Sequence, residues 1–169
     1  EGMISRVTFN WRNAVSKLVE YFMEKGADKI GLIAGAPSYV PSQEMRTGYR
    51  EAMKKHGLEY DPDMVIYPPG GKRYKEISSY LEKFNDLDAL IVEAGSFNQL
   101  MLYFWQNDFK RPMLGFLTES GLLEEAMPNV VEVKFETNIY IKGVEILFEL
   151  IESGSSKTVN IQVAPSLVC

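Results

Sequence analysis

The chain has 169 residues, of which 46% are hydrophobic and 24% are charged, and its formal net charge is −5. This composition is typical of one globular domain and argues against a disordered protein. The acidic balance argues against a surface that binds nucleic acid by neutralising phosphates. The only cysteine is Cys169, so the chain has no internal disulfide, which fits a cytoplasmic protein. No apolar run approaches the roughly 18 residues that span a bilayer, so we expect no membrane contact.

Helical periodicity and short apolar runs alternate along the chain. Residues 15–23 place apolar side chains on one helical face, and Gly26 follows as the predicted helix stop. Residues 29–34 form the first short apolar run, which is typical of a buried strand. The same criteria predict further helices at 45–53, 77–84, 97–105, 119–126 and 141–151, and further strands at 64–67, 88–94, 112–117, 130–135 and 158–163.

Strands separated by helices of this length indicate βαβ crossovers, which place helices on both faces of a parallel sheet. We therefore predict an α/β fold with a parallel sheet of five to six strands. In such folds a ligand binds beyond the carboxyl ends of the strands. The segments that follow those ends are 35–41, 68–73, 95–98, 117–120 and 136–138.

Motifs for enzymatic chemistry are absent from the sequence. Gly71-Lys72 has no glycine five residues earlier and is followed by Arg73, so it is not a phosphate-binding loop. Neither the GxGxxG pattern of dinucleotide sites nor a GxSxG nucleophile elbow occurs. His56 lies at the end of a predicted helix, where a solvated cation favoured by the helix dipole is expected rather than a catalytic base. We therefore expect no enzymatic activity, no cofactor and no metal site.

Three aromatic residues, Phe97, Phe104 and Trp105, lie on the fourth predicted helix. They form either an exposed stacking surface or a part of the hydrophobic core. Their helical spacing favours the core, because an amphipathic helix buries the face on which apolar residues recur.

Several short motifs occur in an order and spacing that resemble a known family. Residues 20–35 form a helix, a turn at Gly26 and a strand that ends in Gly35. Residues 47–53 carry a Gly-Tyr helix motif, and the strand at 112–117 contains Gly115-Phe116. The chain closes on Pro-Ser-Leu-Val at 165–168. Together these motifs resemble the effector-binding domain of the lac repressor family, which is related to periplasmic sugar-binding proteins.

The resemblance implies a domain built from two Rossmann-like lobes, with a sugar or purine bound between them. This chain, residues 1–169, matches a single α/β domain with a core lobe at about 1–136 and a returning helix and strand at 137–169. Most of the first lobe and any DNA-binding domain lie outside it, so DNA contact is expected only through a domain that the chain lacks. The helix at 141–151 would normally pack on the first lobe. We expect it to fold onto this lobe or to pair with another copy in a homodimer.

The sequence departs from the family where effectors are bound. Met45 occupies the place of an effector-contacting arginine, with Arg46 beside it. Gly95 lies near the place of an Asn-Asp pair, and Leu117 replaces an aspartate. The resemblance therefore implies a more apolar cleft that binds common sugars weakly. The residues that we predict to contact a ligand follow the strand ends and are Tyr39, Arg46, Ser96, Asn98, Thr118 and Glu119.

The favoured function is a ligand-sensing and dimerising module of a lac-repressor-type transcription regulator, with a sugar-like or other small-molecule effector. One alternative is a sensor module fused to a histidine kinase or a diguanylate cyclase. A second is an exported solute-binding protein. The sequence of the intact protein would separate the three, through an N-terminal DNA-binding domain, a C-terminal catalytic domain or a signal peptide. A small α/β enzyme is the fourth and least supported hypothesis, because the catalytic motifs are missing.

Overall fold

The computed structural model describes residues 4–118, 130–135, 137–155 and 157–168. The predicted helical turn at 119–126 lies outside these ranges. Within them the helices are α1 (Trp11–Glu24), α2 (Val40–Lys55), α3 (Arg73–Lys83), α4 (Phe97–Gln106) and α5 (Ile139–Glu152). The strands in the same ranges are β1 (Arg6–Phe9), β2 (Ile30–Ile33), β3 (Val65–Ile66), β4 (Ala89–Glu93), β5 (Met113–Leu117), β6 (Val130–Phe135), β7 (Asn160–Val163) and β8 (Pro165–Val168).

Six of these strands form one sheet in the order β3-β2-β4-β5-β6-β8. The first five strands of that order are parallel, and β8 is antiparallel to β6. Side chains from α1 and α2 belong to the hydrophobic cluster on one face, and side chains from α3 and α4 belong to the cluster on the other. The predicted α/β fold, a mostly parallel sheet with helices on both faces, is therefore confirmed.

The structure differs from the prediction at the two ends of the chain. The predicted last strand ended at residue 163, but β8 follows it and forms one edge of the main sheet. β7 instead pairs in parallel with β1 in a separate two-stranded ribbon. Only Phe9 is fully buried in β1, so this short, polar strand gives no clear periodicity. β8 begins with Pro165, and a strand tolerates proline at its first residue or on a sheet edge.

Glycine lies two residues after the end of three helices. Gly26, the predicted stop of α1, and Gly57 and Gly154 after α2 and α5 have φ values of 85°, 71° and 58°, a left-handed conformation that glycine adopts without a steric penalty. Asn138 precedes α5, and its side-chain oxygen accepts hydrogen bonds from backbone N–H groups two and three residues later, at 2.9 Å and 3.3 Å. This contact satisfies donors that the first helical turn leaves free.

Helix α5 packs against β1 of the ribbon. Ile146 is the buried residue of this helix. The apolar face, which was expected either to fold onto this lobe or to pair with another copy, is exposed, with exposed fractions of 52–66%. Its members are Ile141, Val144, Leu147, Phe148 and Ile151. Helix α5 and strand β7 thus lie with β1 outside the main sheet, to which β8 belongs.

Two glycines allow α1 to approach its neighbours closely. A Cβ on Gly115 of β5 would lie 2.8 Å from Leu18 Cδ2 and 2.9 Å from Phe22 Cζ. A Cβ on Gly48 of α2 would lie 2.8 Å from the Cα and 2.9 Å from the carbonyl carbon of Arg12. Real Cβ atoms do not make such contacts with backbone, so α1 can cross α2 at this distance only over a glycine.

We expect Gly48→Ala to lower the free energy of unfolding by about 1–3 kcal/mol, because the new methyl group forces α1 away from α2. The matched control is Gly143→Ala, since Gly143 is also helical but a Cβ there would meet nothing within 4 Å. The control should be stabilising by about 0.4–1 kcal/mol. Urea denaturation measures both free energies of unfolding, and equal values for the two variants would contradict the packing described here.

Tyr49 on α2 ties this helix to the main sheet. Its side chain is fully buried, and its hydroxyl donates a 2.6 Å hydrogen bond to the carbonyl oxygen of Ile30 on β2. Burial raises the pKa of Tyr49 above its ordinary value. The folded state therefore requires the protonated phenol, because an ionised phenolate could not donate this bond.

Tyr49→Phe should cost about 1–3 kcal/mol at neutral pH, because the Ile30 carbonyl oxygen loses its buried donor. Because the pKa of Tyr49 is raised in the folded state, the contribution of its hydroxyl is complete below the unfolded-state pKa of about 10 and declines above it. Urea titrations between pH 7 and pH 11 should show the difference between wild type and variant shrinking above pH 10. A difference that stays constant to pH 11 would refute the assignment. Tyr140→Phe, at an exposed tyrosine, is the control.

Candidate functional site

Two loops meet at the carboxyl end of the main sheet, where the sequence predicted a ligand. Gly35 follows β2, and Ser42 lies in the first turn of α2. Glu93 is the last residue of the adjacent β4, and Gly95 follows it. A Cβ on Gly35 would lie 2.8 Å from Ser42 Oγ and 4.0 Å from Glu93 Cδ. Gly35 is thus packed so closely against Ser42 that a side chain at this position would not fit without a shift.

Arg73, the first residue of α3, brings a cation to the same place. Its guanidinium group donates a hydrogen bond to the carbonyl oxygen of Gly95. A Cβ on Gly95 would lie 2.9 Å from Arg73 Nη1 and 2.9 Å from Glu93 Oε2. The two charged groups therefore flank one point in space. No ion pair within 4.0 Å joins them, and across the described ranges the Glu93 carboxylate has no hydrogen-bond partner.

Several buried polar atoms of the elements that meet here have no hydrogen-bond partner. The part of the chain that the structure describes has six such side-chain atoms. Four belong to the elements that meet here: Ser42 Oγ, Arg73 Nε, Ser96 Oγ and Gln99 Oε1. A buried polar atom left unpaired costs about 1–3 kcal/mol, and such groups in a native protein point to a bound water, ion or ligand. We call the set Gly35, Ser42, Arg73, Glu93, Gly95 and Ser96 the edge site.

A different polar contact lies at the end of the neighbouring strand β5, between Thr118 and Glu132. Thr118 follows β5, is 6% exposed, and donates its hydroxyl hydrogen to the carboxylate of Glu132 on β6. Glu132 is 1% exposed, so this contact holds a carboxylate within the sheet. The hydroxyl of Thr118, which the sequence predicted as a ligand contact, is thus already engaged. Glu119 lies outside the described residues.

Of the remaining predicted contacts, Ser96 lies in the edge site and is 1% exposed, whereas Asn98, Arg46 and Tyr39 lie elsewhere. Asn98 is exposed on the first turn of α4. Arg46 is exposed on α2 and lines a groove with Arg50 and Tyr67, where the Tyr67 hydroxyl raises the pKa of the Arg46 guanidinium. Met45, at the family's arginine position, is 2% exposed in the core, so the two adjacent side chains point in different directions.

Tyr39 lines a larger groove between the β1–β7 ribbon and the start of α2. This groove has a volume of about 890 Å³. Its walls include Thr8, Trp11, Tyr39, Glu44, Tyr140 and Gln162. Tyr39 is 62% exposed and Tyr140 is 70% exposed, whereas Trp11 is 8% exposed and anchors the floor.

Arg73 and Glu93 are absent from the contacts predicted from the sequence, because the family's charged positions hold Gly95 and Leu117 here. Arg73 lies in the segment 68–73, which follows a predicted strand end, and Glu93 is the next-to-last residue of the strand predicted at 88–94. Charges of opposite sign at two strand ends are the feature of the sequence that points to this pair.

The prediction that α4 buries all three aromatic residues is wrong for Trp105. Phe104 is 5% exposed, and Phe97 packs on Phe116 with ring centroids 5.0 Å apart. Trp105 is 81% exposed, because it follows Phe104 and therefore points about 100° away from it around the helix axis.

The described ranges hold no group of three or more His, Cys, Asp or Glu side chains that could bind a metal ion. None of their helices is both long and apolar enough to cross a bilayer.

Comparison with models of known protein families gives no match, and comparison with curated proteins gives none either. Solved structures do match. The transcriptional regulator CelR in complex with cellobiose superposes with a TM-score of 0.86 at 21% identity, covering 100% of this chain and 54% of CelR. The Escherichia coli transcriptional repressor AscG gives a TM-score of 0.79 at 14% identity, covering 96% of this chain and 61% of AscG. The Lac repressor bound to ONPG gives 0.79 at 15% identity, covering 99% and 52%.

At these identities the likeness establishes the fold. The chain has the periplasmic-binding-protein-like α/β fold of LacI-family regulators, so the resemblance recognised in its sequence motifs is confirmed at that level. The chain spans little more than half the length of the CelR and Lac repressor structures and about three fifths of AscG.

Proposed function

We propose that the chain is the effector-binding portion of a transcription regulator and that a small molecule binds at the edge site. The observation that carries this proposal is the group of buried, unpartnered polar atoms at the carboxyl end of the sheet. Ligands of open α/β sheets bind at that end, and a ligand there would supply the missing partners. Regulation of transcription, rather than catalysis, agrees with the regulators whose fold the chain shares. DNA contact belongs to a domain outside this chain.

Two of the matching structures are complexes with small organic molecules, cellobiose and ONPG, which supports a small organic effector for this chain. The residues at the family's contact positions differ here, since Met45 and Leu117 are apolar and buried. Of the six predicted contacts, we propose that Ser96 takes part in binding as a member of the edge site and that the other five are of secondary importance.

Simple hexoses should bind weakly, with dissociation constants above roughly 10 μM, or about −7 kcal/mol. The reason is that Met45 and Leu117 offer no hydrogen bonds to sugar hydroxyls, which leaves those hydroxyls unpaired. Isothermal titration calorimetry with hexoses, pentoses and purines measures this. A hexose with a dissociation constant below roughly 10 μM would show that the substitutions do not disable the site.

The variant Arg46→Ala tests one of the proposed contacts. If a ligand is found and its affinity is unchanged in this variant, Arg46 is not a contact.

We also propose that the chain forms a homodimer through α5. Large apolar side chains cover the outer face of this helix, and contiguous exposed apolar surface marks an interface. The inner face already packs on the ribbon through Ile146, so the outer face is available to a second copy. In a longer protein we propose that residues 137–169 would contact a first lobe instead, so the homodimer is proposed for the 169-residue chain on its own.

Light scattering at micromolar concentration should give the mass of a dimer. Phe148→Glu should shift it to a monomer, because burial of an unpaired carboxylate in the interface is costly. Phe148 is 60% exposed, so the substitution should leave the thermal midpoint of the monomer largely unchanged. Glu149→Gln, at an exposed polar position on the same helix, is the control and should stay dimeric. A wild-type monomer would refute the proposed dimer.

A further inference from the structure

We infer that the chain has a second ligand site, on the exposed side of α2, which binds free phosphate or the phosphate group of a small molecule. The site is a groove of about 300 Å³ between α2, the loop after β2 and the residue that follows the edge strand β3. It shares no residue with the edge site, so the inference stands apart from the proposed function. We call it the Arg46–Tyr67 groove, and its walls are Pro37, Gln43, Arg46, Thr47, Arg50 and Tyr67.

The first argument is a pair of arginines in the groove wall. Arg46 and Arg50 are four positions apart on α2, so their side chains lie one helical turn apart on the same exposed face. Within the described ranges, neither guanidinium group has a carboxylate within 4.0 Å. Like charges at this spacing destabilise a helix, and an anion bound between them would remove that repulsion.

The second argument is the direction in which the acidic residues of α2 point. Glu44 and Glu51 both face Arg12 of α1, with carboxylate oxygens 3.2 Å and 3.8 Å from its guanidinium nitrogens. Among the described residues, none of those that line the Arg46–Tyr67 groove is acidic. The groove therefore concentrates positive charge on a chain whose net charge is −5, and the ligand that it favours is an anion.

The third argument is the Tyr67 hydroxyl, which comes from a different element. It lies beside Arg46, and its oxygen raises the pKa of that guanidinium group. The hydroxyl is buried, and its proton has no acceptor within the described part of the chain. A buried donor without a partner lowers stability, and an oxygen atom of a ligand in the groove would provide the missing acceptor.

The other polar side chains of the groove wall donate their hydrogens within the protein. Gln43 Nε2 donates a 3.0 Å hydrogen bond to the carbonyl oxygen of Pro37. The Thr47 hydroxyl donates a 2.9 Å hydrogen bond to the carbonyl oxygen of Gln43. The first of these bonds holds the loop after β2 against α2, so the groove keeps its shape without a ligand. The donors left for a ligand are the two guanidinium groups and the Tyr67 phenol.

This set of donors fits a phosphate group better than a carboxylate. A phosphate monoester carries up to two negative charges and three acceptor oxygens, which match two cations and a third donor. A carboxylate carries one charge on two oxygens. Arginine also binds phosphate through paired, charge-assisted hydrogen bonds, which are about twice as strong as neutral ones. Two sources supply this chemistry: inorganic phosphate and a phosphate monoester.

The experiment titrates the whole ¹⁵N-labelled chain at pH 8 and constant ionic strength and follows its amide signals by NMR. The probes are inorganic phosphate, glycerol 3-phosphate, glycerol and succinate. Glycerol lacks the phosphate group, and succinate matches the charge of a phosphate monoester without its clustered oxygens. The variants are Arg46→Gln, Arg50→Gln and Tyr67→Phe. The matched control is Lys75→Gln, which removes an exposed cation from α3, on the other face of the sheet.

We expect inorganic phosphate or glycerol 3-phosphate to shift the amide signals at 43–50 and at Tyr67. The dissociation constant should rise at least tenfold in each arginine variant and at least threefold in Tyr67→Phe, but less than twofold in Lys75→Gln. The phosphate probe with the lower dissociation constant identifies the source, and equal values assign recognition to the phosphate group alone. Without ligand, the arginine variants should keep the thermal midpoint of the wild type, because both side chains are exposed.

Three results would overturn the inference. Succinate or glycerol that binds as tightly as the phosphate probes would show that the groove does not recognise phosphate. An equal loss of affinity in Lys75→Gln would reduce the binding to attraction by the net charge of the surface. Phosphate probes that leave the signals at 43–50 and Tyr67 unchanged would show that the groove is not a ligand site. Each result leaves the proposed effector at the edge site untouched, because the two sites share no residue.

Discussion

The burial of the central strands on both faces is the constraint on which the rest of the structure depends. Every residue of β2 is buried, as are the first four residues of β4. Such strands must be apolar along their length, so polar chemistry is confined to the points where they end. Because β2 and β4 are parallel, their carboxyl ends meet at one edge, and the charges of Glu93 and Arg73 come together there.

Two glycines determine how closely the helices pack on the sheet and on each other. Gly115 lets Leu18 and Phe22 of α1 lie directly on β5, and Gly48 lets α2 cross the backbone of α1. Helix α2 then carries Ser42 to the end of β2, beside Gly35. The edge site is therefore placed by packing over distant parts of the sheet, and a methyl group at Gly48 would disturb the site as well as the core.

Structural features that depend on local periodicity or on backbone chemistry could be predicted from the sequence. The apolar face of α1 and the helix stop at Gly26 were both predicted from neighbouring residues. Features that depend on distant pairing could not be predicted in this way. β1 and β7 contact each other from opposite ends of the chain, and β8 is a strand because β6 offers an edge. Arg73 and Glu93 are 20 positions apart in the sequence, and only the sheet order brings them together.

The central claim is that the edge site binds the effector, and the amide signals of Gly35, Gly95 and Ser96 report on it directly. Titration of ¹⁵N-labelled protein with the hexose, pentose or purine of highest affinity, followed by heteronuclear NMR, measures which amides shift. The account predicts that the largest changes occur at 34–42 and 93–99, with little change along α5. Shifts concentrated in the Arg46–Tyr67 groove or in the ribbon groove, with Gly35 and Gly95 unchanged, would contradict it.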